Sequence, residues 1–282
     1  MKASDKVWIT GAGGLIGRYL VQTCPSSHRA IGLHRSDLNL LDAPALEDRF
    51  HTDQPCGVIH AAAISKSPAC QANPDLAWRT NVATTRQLAG LASSIPFFFI
   101  STDLVFDGQK GNYVETDVTK PLSFYGKTKA EAEQHVLANP RHTVIRTSLN
   151  GGQSPTGDRG FNEELHHTIR SGKTAHLFTD EFPNPMPAVV TALALWELYG
   201  KQAAGIFHLA GAEKLSRYQI GQLLTETWNE GHQQICASTL KDYKGAPRAP
   251  DTSLCSDKAQ RLLSFPLPAF GSWLKAQTNH AF

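Results

Sequence analysis

Short apolar runs recur along the first half of the chain, at Val7 to Thr10, Ala30 to Leu33, Val58 to His60, Phe97 to Ser101 and Val144 to Thr147. The stretches between them are long enough for helical crossovers, so the rhythm predicts a parallel sheet. Within one such stretch Leu76, Val82, Leu88 and Leu91 fall at helical spacing, and Pro74 suits the first turn of that helix. Helices of this kind cover both sheet faces, which makes the predicted fold class α/β, a doubly wound parallel sheet. After Arg146 the texture changes to Gly151, Gly152, Pro155, Gly157 and Gly160, then Pro183, Pro185 and Pro187. That punctuation predicts loops that shape a pocket. Ile206 to Leu209 reads as a strand that rejoins the sheet, and Ser216 with Gln219 forms a capping box before Ile220, Leu223 and Leu224.

Composition narrows the function classes. With 41% hydrophobic and 18% charged residues in 282, the chain can bury a continuous core. A formal net charge of +2 provides no global basic field, so no nucleic-acid partner is expected. The apolar stretch Ile95 to Ile100 is far short of the roughly 20 residues that span a bilayer, so no membrane association is expected. The chain reaches a polar-flanked strand without a signal-peptide pattern, which predicts a cytoplasmic location. Cys24, Cys56, Cys70, Cys236 and Cys255 are scattered and odd in number, as expected of reduced, buried, inert thiols.

The first strand runs directly into Gly11-Ala12-Gly13-Gly14-Leu15-Ile16-Gly17, which opens a helix. Glycines permit a tight turn and close backbone approach, and a helix amino terminus offers N–H groups and a positive dipole end to a pyrophosphate. Gly11, Gly14, Leu15, Ile16 and Gly17 are therefore candidate dinucleotide contacts in a Rossmann-like core. This assigns residues 1–149 to a dinucleotide-binding core and 150–282 mainly to a small carboxyl-terminal substrate lobe, with a segment near 187–212 returning to the core. The second strand ends before His34-Arg35-Ser36. A guanidinium at Arg35 suits a 2′-phosphate, whereas Asp37 would suit a ribose hydroxyl if the turn folds back. NADP(H) is favoured on this basis, with NAD(H) as the alternative.

Ser101-Thr102-Asp103 follows the fourth strand, and Tyr125 and Lys129 share one face of a later helix. A nearby ammonium favours phenolate, so Lys129 is expected to bring the Tyr125 pKa down toward neutrality. In a ketone reduction Tyr125 donates a proton to the carbonyl oxygen, and Thr102 holds that oxygen in line. Thr102, Tyr125 and Lys129 are the candidate catalytic residues; Thr102, Asp103 and Tyr125 are the candidate substrate contacts. His60, at a strand end before three alanines, reads as a packed core histidine. His166 and His167 lack a carboxylate or cysteine at metal spacing and read as a solvated helix face, so no metal is predicted.

With these residues in place, the chain resembles the extended short-chain dehydrogenase/reductase superfamily and, within it, the dTDP-4-dehydrorhamnose reductase family. The resemblance rests on Gly11 to Gly17, Asp37 to Asp42, Val58 to Ala63, Asn81 to Thr84, Ser101 to Gly108 and Tyr125 to Lys129, with Leu215 to Tyr218 and Arg248 to Asp251 later. It implies that Lys129 also contacts the nicotinamide ribose and that Leu41 and Asp42 lie by adenine. It further implies that Ala61, Ala62 and Ala63 pass beside the cofactor, that Asn81 supports the adjacent strand and helix, and that Asp180 to Pro185 forms part of the substrate region. Phe182 and the prolines there depart from the family's spelling, as does Cys255. The implied reaction is reduction of a 4-keto group on a nucleotide-linked deoxysugar, and a homodimer is compatible with the resemblance. The resemblance extends also to the non-catalytic, NADP-binding regulatory β subunit of methionine adenosyltransferase, although the complete threonine, tyrosine and lysine set favours an enzyme, and a nucleotide-sugar epimerase or dehydratase uses the same hydride machinery.

Overall fold

The computed structural model describes residues 5–277. Its strands are β1 (Lys6–Thr10), β2 (Arg29–Leu33), β3 (Gly57–His60), β4 (Phe97–Thr102), β5 (Thr143–Thr147), β6 (Asn150–Gly151), β7 (Ala175–Phe178), β8 (Met186–Pro187), β9 (Gly205–Leu209) and β10 (Ile235–Ser238). Six of them form a sheet in the order β2-β1-β3-β4-β5-β9, with every pairing parallel. The helices are α1 (Leu15–Gln22), α2 (Ala43–Asp53), α3 (Ser67–Ala72), α4 (Pro74–Trp78), α5 (Thr84–Leu91), α6 (Phe124–Leu137), α7 (Phe161–Arg170), α8 (Ala188–Gly200), α9 (Arg217–Trp228), α10 (Asp257–Gln260) and α11 (Phe270–Lys275).

The central strands are apolar on both faces because helices cover both. Alternation along each strand sorts the core into two layers. Val7, Ile9, Ile59, Phe98 and Ile145 pack toward Leu20 of α1 and Leu195 and Leu198 of α8. Trp8, Val58, Phe97, Phe99 and Val144 pack toward Leu46 and Phe50 of α2, Leu88 of α5, and Ala132 and Val136 of α6. A third cluster joins Leu165 and Ile169 of α7, Leu177 of β7, Ile220 and Leu224 of α9, and Phe270 and Leu274 of α11. That cluster is separate from the two layers on the central sheet and is built from residues after Ser148.

Two expectations change. The apolar spacing from Leu76 to Leu91 does not form one regular helix: α4 and α5 are joined by a π-helical turn over Arg79–Ala83, which shifts the helical phase and turns Asn81 inward. Leu76 is left on the surface as a result. Among the cysteines Cys70 is buried, but Cys236 is exposed on β10, so uniform burial does not hold. The Ser216–Gln219 capping box is present, with Gln219 N donating to Ser216 Oγ at 3.1 Å and Ser216 N to Gln219 Oε1 at 2.8 Å. Among the described residues no helix is long and apolar enough to cross a membrane.

Candidate functional site

In a sheet of this order the crevice opens at the carboxyl ends of β1 and β3. Gly11 has a φ of +71°, and a Cβ there would lie 2.7 Å from Ala62 N, so the turn rests directly on the Ala61–Ala62 backbone. At Gly17 a Cβ would meet the Gly11 carbonyl oxygen at 2.1 Å, which seats the first turn of α1 against the loop. Gly14 is the N-cap, with no side-chain cap and no acidic residue in the first turn. The N–H groups of Leu15, Ile16 and Gly17 therefore stay outside the helical bonding pattern, at the positive end of the dipole. This cradle fits a dinucleotide pyrophosphate, and the Ala61–Ala62 backbone packs against its first glycine, with Ala61, Ala62 and Ala63 all half-buried.

Thr10 and His60 lock the ends of β1 and β3 together. The Thr10 hydroxyl is 2.6 Å from His60 Nδ1 and accepts from Ala62 N at 3.3 Å, while His60 Nε2 lies 3.0 Å from the Thr85 hydroxyl. Burial, reinforced by the Lys129 charge, pushes His60 down to about 3, and its ring stacks on Phe99. It is a neutral core histidine. Asn81 performs the supporting role assigned to it: its amide brackets the Ile64 backbone at 2.9 and 3.1 Å and donates to Thr128 Oγ1 of α6 at 3.0 Å.

At the β2 end Arg35 is exposed. Asp37 turns back onto its own loop, where its carboxylate accepts from His34 N at 3.0 Å and from the Ser36 hydroxyl at 3.2 Å. The His34 N–H, foremost, holds that carboxyl below its usual range. Asp42 is also engaged, as the N-cap of α2 accepting from Ala45 N at 3.2 Å, beside half-buried Leu41.

Thr102 ends β4, and Tyr125 is the second residue of α6. Gly126 is what joins them: a Cβ there would lie 2.2 Å from the Leu104 carbonyl oxygen, so the first turn of α6 sits on the segment that leaves β4. The Thr102 hydroxyl donates to Asp103 Oδ1 at 3.1 Å and accepts from Leu104 N at 3.2 Å. Asp103 is buried, and its Oδ2 accepts from Ser148 at 2.7 Å and from Thr252 at 2.9 Å. Burial raises its carboxyl above the ordinary range, against those hydroxyl bonds.

The expected lowering of the Tyr125 pKa is reversed. Burial, then the charges of Asp103 and Cys70, push it above its ordinary value, and the Thr102 hydroxyl opposes them only in part. Lys129 does not act on the phenol here because its Nζ donates to the Ile100 carbonyl and lies 3.9 Å from the centroid of the Phe99 ring. Burial pushes Lys129 down to about 7, with the Glu133 and Cys70 charges working the other way. Tyr125 is accordingly a neutral phenol at working pH, the form a proton donor requires.

In the second half of the chain, a cluster that sequence reasoning did not assemble centres on Glu181. Arg248 donates to it through Nε at 2.6 Å and Nη2 at 2.8 Å, and Arg217 through Nε at 3.1 Å. Proximity in sequence holds no sign of it, since 36 and 67 residues separate the partners. Burial alone would raise the Glu181 carboxyl, but the Arg217 and Arg248 charges outweigh it and the net shift is downward. A carboxyl depressed on folding stabilises fully above its unfolded value near 4.5, and that contribution is lost as pH falls through the lower folded value. Arg248→Ala should therefore make acid unfolding begin at higher pH, as read by tryptophan fluorescence; an unchanged acid midpoint would remove Glu181 from the acid response. His166, expected on a solvated face, meets Glu230 at 2.6 Å, a carboxylate 64 residues away. Among the described residues no group of three or more His, Cys, Asp or Glu side chains is arranged to hold a metal.

The family described as RmlD substrate binding domain matches residues 5–281. The chain belongs to that family. Relatives include methionine adenosyltransferase 2 subunit beta of Rattus norvegicus, 29% identical over 92% of this chain and 83% of that one. A probable low-salt glycan biosynthesis reductase, Agl14 of Haloferax volcanii, is 30% identical over 89% of each chain. The crystal structure of a hypothetical dTDP-4-dehydrorhamnose reductase from Sulfolobus tokodaii is 30% identical, with a TM-score of 0.84 over 93% of this chain and 96% of that one. The RmlD-family chain thus has a reductase-like, nicotinamide-nucleotide-type fold of the extended short-chain dehydrogenase/reductase superfamily, with relatives named both as reductases and as a subunit of a transferase.

Proposed function

We propose that this chain is a cytoplasmic NAD(P)H-dependent reductase acting on the 4-keto group of a nucleotide-linked deoxysugar, as a dTDP-4-dehydrorhamnose reductase does. The observation that carries this reading is the joining of Thr102 and Tyr125 at the carboxyl end of β4, with the uncapped amino end of α1 in the same crevice. A bound nicotinamide dinucleotide supplies hydride. Gly11, Gly14, Leu15, Ile16 and Gly17 would hold its pyrophosphate through backbone N–H groups, with Ala61 to Ala63 beside it, Leu41 and Asp42 toward the adenine and Lys129 toward the nicotinamide ribose. Thr102 orients the substrate carbonyl, Tyr125 delivers the proton to its oxygen, and Asp103 fixes the Thr102 hydroxyl from behind. The sugar's nucleotide end extends toward the lobe.

The deciding experiment follows absorbance loss from NADPH and, separately, NADH across a panel of nucleotide-linked 4-keto-6-deoxysugars. Substrate-dependent, stoichiometric oxidation supports the reductase; sugar conversion without net cofactor consumption points instead to an epimerase or dehydratase. A second reading, a cofactor-binding regulatory subunit, is favoured by the position of Lys129, whose ammonium is bound to a strand carbonyl rather than to Tyr125. Tight cofactor binding with no oxidation across the panel would support it.

Arg35, exposed beyond β2, is the proposed partner of a 2′-phosphate. Arg35→Ala should weaken NADPH binding by about 1.5–3 kcal/mol, the worth of a charge-assisted hydrogen bond, and leave NADH nearly unaffected. Equal losses for the two cofactors, measured by fluorescence titration, would reject that role.

A further inference from the structure

Two of the family segments, Ser101 to Gly108 and Arg248 to Asp251, are far apart in the chain and lie against each other in the fold. Gly108 has a φ of +76°, and a Cβ there would lie 2.8 Å from Pro250 N and 2.9 Å from Asp251 N. Asp251 N donates to the Gly108 carbonyl oxygen at 3.1 Å, Tyr113 N to the Ser253 carbonyl at 2.8 Å, and Cys255 N to the Tyr113 carbonyl at 2.8 Å. From the other side Phe182 N donates to the Pro250 carbonyl at 2.7 Å, and Leu254 N to Asn184 Oδ1 at 2.8 Å. Residues 250–255 are thus fastened along both sides, and none of these bonds uses the side chain of Thr252.

That side chain is buried and points at the site. Thr252 Oγ1 donates to Asp103 Oδ2 at 2.9 Å, beside Ser148 Oγ at 2.7 Å, and Ser148 Oγ in turn accepts from Asn184 N at 3.1 Å. With two donors on Oδ2, the other oxygen is left to Thr102, whose hydroxyl reaches Oδ1 at 3.1 Å. The charged and titratable groups acting on Asp103 are the Tyr125 phenol of α6 and the Arg217 guanidinium of α9, while its hydrogen bonds come from the three hydroxyls. Burying a carboxylate is costly, and residues 250–255 are already held without it. Structural need is therefore a weak account of Asp103, and its contact with Thr102 is the stronger one.

We propose that Thr252 is a positioning residue for the reaction: carried in by the segment docked on Gly108 and Tyr113, it works with Ser148 to pin Asp103 Oδ2, so that Oδ1 is presented to the Thr102 hydroxyl. The use of that hydroxyl rests on the reductase reading; the contact with Asp103 does not. Aspartate labelled with 13C at Cγ reports the titration of Asp103 in the ligand-free chain, with Asp103→Asn assigning the signal. A hydroxyl donor favours the ionised carboxylate, so Thr252→Val should raise the Asp103 midpoint by about one pH unit, and Thr252→Ser, which keeps the donor, should leave it native. In a chain that reduces a nucleotide-linked 4-keto sugar, Thr252→Val should lower kcat about tenfold, the worth of one hydrogen bond to a charged group. KM and cofactor affinity should stay constant, and Thr252→Ser should restore kcat.

An unchanged Asp103 midpoint in Thr252→Val overturns the proposal. So does a raised midpoint with native kcat, since the bond would then exist without serving Thr102, and so does an equal loss of kcat in Thr252→Val and Thr252→Ser, which marks a packing role. An absence of turnover in the native chain overturns the reductase reading instead, and the placement of Asp103 by Thr252 then stands or falls on the midpoint alone. If Thr252→Val does not fold, Ser148→Ala decides, because it removes the other donor from the same oxygen: a raised midpoint with lowered kcat supports the pinning of Oδ2, and a native midpoint overturns it.

Discussion

Replacing Tyr125 by phenylalanine should abolish reductase turnover, with kcat falling by about 10²–10⁴-fold, the usual contribution of a positioned proton donor. The ring remains to pack against Cys70 and Ala77, so the fold and the cofactor cradle should survive. Cofactor affinity should be essentially unchanged, because the phenol contributes mainly when the carbonyl oxygen takes up charge. Burial and the neighbouring charges hold Tyr125 above its ordinary value, so any reductase turnover of the native chain should show no alkaline loss from tyrosine ionisation near neutrality. Any alkaline limb near pH 7 belongs instead to Lys129, whose ammonium is present below about 7 and lost above it. Stopped-flow oxidation of NADPH across pH separates the two, and full activity in the variant would end the proton-donor assignment.

Gly11→Ala should be the most damaging change in the cofactor cradle. A left-handed backbone costs a non-glycine residue about 1–2 kcal/mol, and forcing a group into packed backbone costs about 1–3 kcal/mol more. Both apply at Gly11, where φ is +71° and the added Cβ would lie 2.7 Å from Ala62 N. A loss of about 2–5 kcal/mol in urea unfolding is expected, together with loss of dinucleotide binding. Gly157→Ala is the internal control: its φ is +72°, but nothing lies within 4 Å of the added Cβ. It should cost the strain alone, about 1–2 kcal/mol. Equal losses at the two positions would mean that the approach of the glycine loop to Ala62 is not what makes Gly11 necessary.

The inner strands β1, β3, β4 and β5 were legible because they are buried on both faces and read as largely apolar runs, whereas the edge strand β2 is only partly buried. β1, β2, β3, β5 and β9 each begin one residue before the predicted run, and β4 ends one residue after it. The stretch from Leu76 to Leu91 was less legible, because one π-helical turn changes the phase without changing the apolar count. Gly126 carried a readable signal, a glycine between a tyrosine and a lysine at a helix start. Its reason is the close approach of Leu104 and Pro121, which no local pattern encodes. The Glu230 partner of His166 was illegible for the same cause, since it comes from another element, although the half-exposed imidazole still lies on a solvated face.

The sequence by itself determined the parallel α/β framework, the glycine turn at the head of α1 and the residue types offered for catalysis, because periodicity, turn chemistry and helical spacing act over a few residues. Only the tertiary structure decided the charge states and the partners. Tyr125 was expected to be lowered by Lys129 and is instead raised, because burial penalises the charged form of each and the ammonium has a carbonyl partner in β4. Asp103 is fixed by Thr252 across 149 residues, and Glu181 by Arg248 across 67. Desolvation and long-range pairing depend on what the fold packs around a group, and that is written in no short stretch of the chain.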